Sequence, residues 1–128
     1  MTHTFNASIV GDLLDGRWGG WRREVRELMK SQEFRKIEDL PYSEHRERVL
    51  SQLRGLVEHG VVSRAFPTEF GGEDDHGGNV AGFEELVIGD PSLQIKAGVQ
   101  WGLFGSAVLQ LGSREHHEAW LPGIMDLS

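Results

Sequence analysis

An all-α helical bundle is the fold class this sequence predicts, and three observations predict it. Apolar residues recur at helical spacing in one stretch after another, while no run of alternating apolar and polar residues is long enough to argue a strand. Residues 91–111 carry Lys96 as their single formal charge, which marks a helix packed at the centre of a domain. The chain has 128 residues, the size of one domain, and can bury a core without staples.

Residues 5–15 (FNASIVGDLLD) place Phe5, Ile9, Leu13 and Leu14 on one stripe, and Gly16 stops that helix. A second helix is expected from about Trp18 to Lys30: Trp21, Val25, Leu28 and Met29 share a face, with Arg22, Arg23 and Arg26 on a solvated one. After a polar linker containing Pro41, Ser43 is placed to cap a helix striped by Val49, Leu50, Leu53, Leu56 and Val57, which Gly60 can end in the left-handed conformation. Residues 61–79 read as a long irregular stretch, because Pro67, Gly71, Gly72, Gly77 and Gly78 break any period. Helix resumes over 80–89. Asp90-Pro91 then starts another: an acid caps it, and proline takes the first position, where a missing N–H costs nothing. That helix runs to Leu111 and is expected to be buried on most sides. Gly112 can stop it, Ser113 can cap the next, and Arg114 to Trp120 make two turns before Pro122.

Charge is unevenly placed. Residues 1–64 hold 11 Lys/Arg and 10 Asp/Glu, residues 65–128 only 2 and 10, and the net charge is −7. Such a field repels a phosphate backbone, and the basic residues alternate with acids, so nucleic acid is not an expected partner. No cysteine is present, which removes thiol nucleophiles and zinc–thiolate sites and fits a reducing compartment. The start MTHTFNAS lacks a basic region followed by an apolar one, and no apolar stretch is long enough to span a membrane. A cytoplasmic setting is expected.

Candidate chemistry is sparse. Glu73, Asp74, Asp75 and His76 are adjacent rather than alternating, so they read as a solvated acidic loop and not a calcium loop. His116-His117-Glu118 would need a second histidine four positions on for a zinc motif, and position 121 is Leu. No metal site and no catalytic residue is assigned. Gly98, Gly102 and Gly105 recur at three to four positions, on adjoining parts of one helical face, and each costs about 0.5–1 kcal/mol relative to alanine. Either a neighbouring helix packs closely there, or the bare face beside Trp101, Phe104 and Val108 walls an apolar groove.

The run PTEFGGEDD resembles the proline, acid, aromatic and double-glycine turn in the N-terminal helical domain of acyl-CoA dehydrogenases and oxidases. GDPSLQIKAGVQWGLFGSAVLQLGSREHHEAWLPGIMDLS is similar to the closing helices of that domain in the oxidase branch, and DGRW and HRERVLSQLRGLVEHG fit that branch too. The resemblance implies a single N-terminal domain, residues 1–128, ending before a middle β domain and a C-terminal helical domain. For the whole enzyme it implies FAD, a fatty acyl-CoA substrate, a homo-oligomer, and oxidation to the trans-2-enoyl-CoA with hydrogen peroxide formed as oxygen reoxidises the flavin. It further implies that the catalytic base and flavin contacts lie outside this chain, which alone binds no cofactor and is inactive. Gln100, Trp101, Phe104 and Val108 are expected to wall the acyl pocket. Gly71 and Gly72 would be structural, with Pro67, Glu69 and Phe70 as packing and positioning groups. Two alternatives stay open: a dehydrogenase domain, or a stand-alone helical interaction module on the same fold.

Overall fold

The computed structural model describes residues 5–128, and among them every regular element is helical. Helix α1 (Ala7–Asp15) is started by Asn6, whose side-chain oxygen accepts from the Ser8 and Ile9 amides at 3.1 and 3.3 Å. Its stripe does not enter the core: Phe5, Ile9, Leu13 and Leu14 are all exposed. Ion pairs hold it instead to α2 (Gly19–Met29), Asp15 to Arg26 at 2.8 Å and Asp12 to Arg23 at 3.2 Å.

Helix α2 buries Val25 and Met29 as its spacing predicts, and Arg23 stays exposed, but Arg22 and Arg26 do not belong to a solvated face. Arg22 and Arg26 reach α4 (His76–Glu85), where Arg26 donates to Glu85 through Nε at 2.9 Å and Nη2 at 2.8 Å, and Arg22 pairs with Glu84 and Glu85. Glu85 is buried, and a buried carboxylate needs such partners. The hydrogen bonds that Arg26 donates to Glu85 and then to Asp15 drive its guanidinium pKa further up.

Helix α3 (Tyr42–Glu58) begins one residue ahead of Ser43. Pro41 takes the cap position, and its carbonyl accepts from the His45 amide at 2.9 Å. Gln52, fully buried, donates its amide to the Glu33 and Phe34 carbonyls at 3.0 and 3.1 Å, tying the preceding linker to the helix. Gly60 adopts φ +69° after the helix end, as expected.

Residues 61–79 are more ordered than their glycines suggest. They form 3₁₀ turns at Ser63–Ala65 and Thr68–Phe70, and α4 starts at His76. Asp75, expected in a solvated loop, caps that helix: Oδ1 accepts from the Gly78 amide at 2.9 Å and the Trp18 indole at 3.2 Å, and Oδ2 from Arg64 at 2.7 Å. Gly71 needs its freedom, at φ +92°. Gly72 serves differently, for a Cβ there would collide with the Phe66 carbonyl.

After a 3₁₀ turn at Leu86–Ile88 comes a long rod built of α5 (Pro91–Ala97), a π segment (Gly98–Gly105) and α6 (Ser106–Leu111). Asp90 caps it through the Ser92 amide at 2.9 Å, with Pro91 in the first turn. Helix α7 (Arg114–Asp126) does not end before Pro122 but carries that proline inside it. The core where these elements meet includes Met29, Phe34, Leu56, Phe66, Leu93 and Leu121.

Candidate functional site

The rod is buried on one side only, not on most sides. Leu93, Ala97, Trp101, Gly105 and Val108 face inward, whereas Ile95, Val99, Leu103, Phe104 and Leu111 are exposed. An uncharged sequence therefore marks two apolar faces, one of which the described residues leave uncovered.

The four residues expected to form one wall separate. Gln100 and Phe104 line a cleft of about 330 Å³ closed by Trp120, Ile124 and Leu127 of the last helix and its end. Trp101 turns into the core and donates its indole N–H to the Ile124 carbonyl at 2.8 Å, and Val108 is buried beside it. The π segment is the physical reason. Its i→i+5 hydrogen bonding adds a residue to each turn, so positions that share a face at α-helical spacing drift apart.

The glycines divide in the same way. At Gly105 a Cβ would stand 2.9 Å from Phe66 Cζ and 3.2 Å from Ile124 Cγ2, the close-packing role. At Gly98 it would meet the Phe83 ring at 3.2 Å, and at Gly102 it would meet nothing within 4 Å. Only the first of the three faces the Phe66–Ile124 core.

Trp120 was not singled out by sequence reasoning, because the last helix was expected to stop before Pro122 and Trp120 was only its final residue. Its signal was the spacing to His116, whose ring packs on it at 5.6 Å between centroids. The adjacent histidines are caps more than free surface groups. His116 forms a reciprocal capping pair with Ser113, and His117 Nε2 lies 3.1 Å from the Val108 carbonyl at the end of the rod.

A second cleft, about 480 Å³, separates α3 from α5 over Leu50, Leu53, Ile95 and Val99, with Arg46 and Lys96 beside it. Two cations invite a pyrophosphate, yet the amide of Ser92 at the adjoining helix start is already taken by Asp90. That amide is therefore not free to join the two cations in holding a phosphate. Among the described residues no group of three His, Asp or Glu side chains is placed to share a cation.

Together these features define an all-helical domain whose described residues line two clefts along one rod. The chain belongs to the family described as acyl-CoA dehydrogenase, N-terminal domain, which it matches over residues 20–128. It is 36% identical over 90 residues to acyl-coenzyme A oxidase 2, peroxisomal, of Arabidopsis thaliana, an alignment covering 70% of this chain and 12% of that protein. It is also 36% identical over 83 residues to acyl-coenzyme A oxidase 3, peroxisomal, of the same plant, covering 65% and 12%. The chain thus spans about one eighth of the length of these curated relatives. No solved structure gives a significant match. Among the described residues no helix is long and apolar enough to cross a membrane; the relatives' names carry a peroxisomal setting, not the cytoplasmic one expected from the sequence.

Proposed function

We propose that this chain is the N-terminal helical domain of a flavin-dependent acyl-CoA oxidase acting on fatty acyl-CoA, one domain over residues 1–128. The observation that carries this reading is the match to two acyl-CoA oxidases at 36% identity, joined to a cleft in which Gln100 and Phe104 meet Trp120. Phe104 and Trp120 give that cleft an apolar body, and Gln100 supplies one amide for orientation. Trp101 and Val108 act from behind, by fixing the rod against the last helix. Oxidation itself belongs to flavin and a base held by other segments of a homo-oligomeric enzyme, so the chain alone is inactive.

Two titrations of the purified chain test this: absorbance for bound FAD, and calorimetry with a long-chain acyl-CoA. No flavin is expected, with weak acyl-CoA binding that Phe104→Ala reduces further. Stoichiometric flavin on the isolated chain would overturn the assigned division of labour. In the whole enzyme, Phe104→Ala is expected to raise KM for long-chain substrate about tenfold, the order of magnitude for losing part of an apolar wall.

A further inference from the structure

The corner between the rod and α7 places two neighbouring histidines on helix ends of opposite polarity. His116 lies in the first turn of α7, where its Nδ1 is 3.1 Å from the Ser113 amide and 3.2 Å from Ser113 Oγ, while Ser113 Oγ accepts from the His116 amide at 3.4 Å. His117 reaches back to the last turn of α6, with Nε2 3.1 Å from the Val108 carbonyl. An amide N–H only donates and a carbonyl only accepts. These partners fix the protons: Nδ1 of His116 is bare, and Nε2 of His117 carries hydrogen.

A capping box ordinarily has Glu or Gln where His116 stands, whereas a histidine gains its proton within about pH 5–8. A proton on His116 Nδ1 takes the lone pair that the Ser113 N–H uses. Ser113 Oγ can accept from the new N–H, but the Ser113 amide is then left facing a donor. Charge acts in the same direction, because the amide end of a helix disfavours a cation. His117 is the opposite case: protonation leaves its Nε2–H in place, and the carbonyl end of the rod favours the charge. The neighbouring charges do not reverse this. Across the corner Glu69 is tied to Arg114 at 3.1 Å, Glu118 holds the same guanidinium at 2.7 Å, and Glu115 on α7 is exposed. The π segment and α6 carry no charged residue, and α3 meets α7 at its far end, with Val57 beside Pro122 and Met125.

We propose that this corner is a proton-operated joint, in which protonation of His116 releases the cap of α7 while His117 keeps its hold on the rod. Trp120, one turn on and packed against the His116 ring at 5.6 Å, carries the change to the cleft at Gln100 and Phe104. The joint does not depend on what that cleft binds. Nuclear magnetic resonance of the nitrogen-labelled chain from about pH 8 to about pH 5 tests it. The Ser113 amide is expected to move in step with the His116 ring signals, toward the position of an amide without a hydrogen bond, while the Trp101 indole, bonded to Ile124 at 2.8 Å, stays still. His116→Gln keeps an acceptor in the box and has no proton to gain, so its Ser113 amide is expected to stay still; His117→Gln leaves the movement intact. A parent Ser113 amide that stays put or moves the other way, a movement that survives His116→Gln, or one abolished by His117→Gln overturns the proposal. If His116→Gln does not fold, the spectra of the parent and of His117→Gln decide the question.

Discussion

Trp101 shows what a single side chain settles in this domain. Its indole N–H is buried against the Ile124 carbonyl at 2.8 Å, so it joins the rod to α7 where backbone partners run out. Trp101→Phe keeps most of the apolar volume and deletes the donor, which strands a carbonyl out of water; a loss of about 1–3 kcal/mol in urea unfolding is expected. Periodicity places a residue on a face only when the turn is known, and the π segment changes the turn around Trp101. Glycines divide on similar grounds. Gly11 lies inside α1 with nothing within 4 Å of a built Cβ, and Gly11→Ala is expected to stabilise the chain by about 0.5–1 kcal/mol. Gly72→Ala meets the Phe66 carbonyl and is expected to be destabilising; chemical denaturation of the two variants should give opposite signs.

At the scale of elements, the junction of α2 with α4 is electrostatic where the sequence promised solvent. Charge pattern on one helix cannot show that Glu84 and Glu85, some sixty residues on, sit opposite Arg22 and Arg26. Arg26→Met leaves the buried Glu85 carboxylate with Arg22 alone at 3.3 Å. The cost should approach, but stay below, the ~3–5 kcal/mol of a fully orphaned buried charge, and calorimetric unfolding would measure it. The start of α4 adds a pH dependence. The Gly78 amide, then Arg64 and Trp18, hold the Asp75 carboxyl below its usual range, with burial opposing them. A carboxyl lowered on folding stabilises the native state above its unfolded pKa of about 3.9, and that contribution is lost as pH falls through the lower native value. Asp75→Asn cannot take up this proton, so its stability should fall less steeply than the parent's below about pH 4. Equal slopes in acid melts of the two proteins would show that Asp75 does not carry the effect. The capping aspartate at 90 and the stop at Gly60 were legible because local chemistry decides them; Asp75 was not, because its partners Trp18 and Arg64 are distant in sequence.

Across the whole molecule, the sequence identified the helical class and the central rod and missed how little of that rod is covered. Composition alone cannot tell a helix buried all round from one with a second apolar face awaiting a partner, because both are uncharged. Ile95 is 66%, Leu103 69% and Leu111 85% exposed, whereas Leu93 on the same rod is inaccessible. Scattered apolar side chains are ordinary on a protein surface, but several on one helix face form the contiguous patch that marks an interaction surface. Under the proposed function, other segments of the enzyme would cover this face. The isolated chain is accordingly expected to bind an apolar dye and to self-associate as its concentration rises, despite a net charge of −7 that opposes association. Leu103→Glu places a charge in the middle of the patch at a position with little native burial to lose, so dye fluorescence and association should both fall. Its unfolding free energy should stay within about 0.5 kcal/mol of the parent, as for an ordinary surface change. Sedimentation velocity and dye titration on the two proteins separate these effects. A parent chain that remains monomeric and dye-free at high concentration would show that the outer face of the rod is tolerated by water and needs no covering domain.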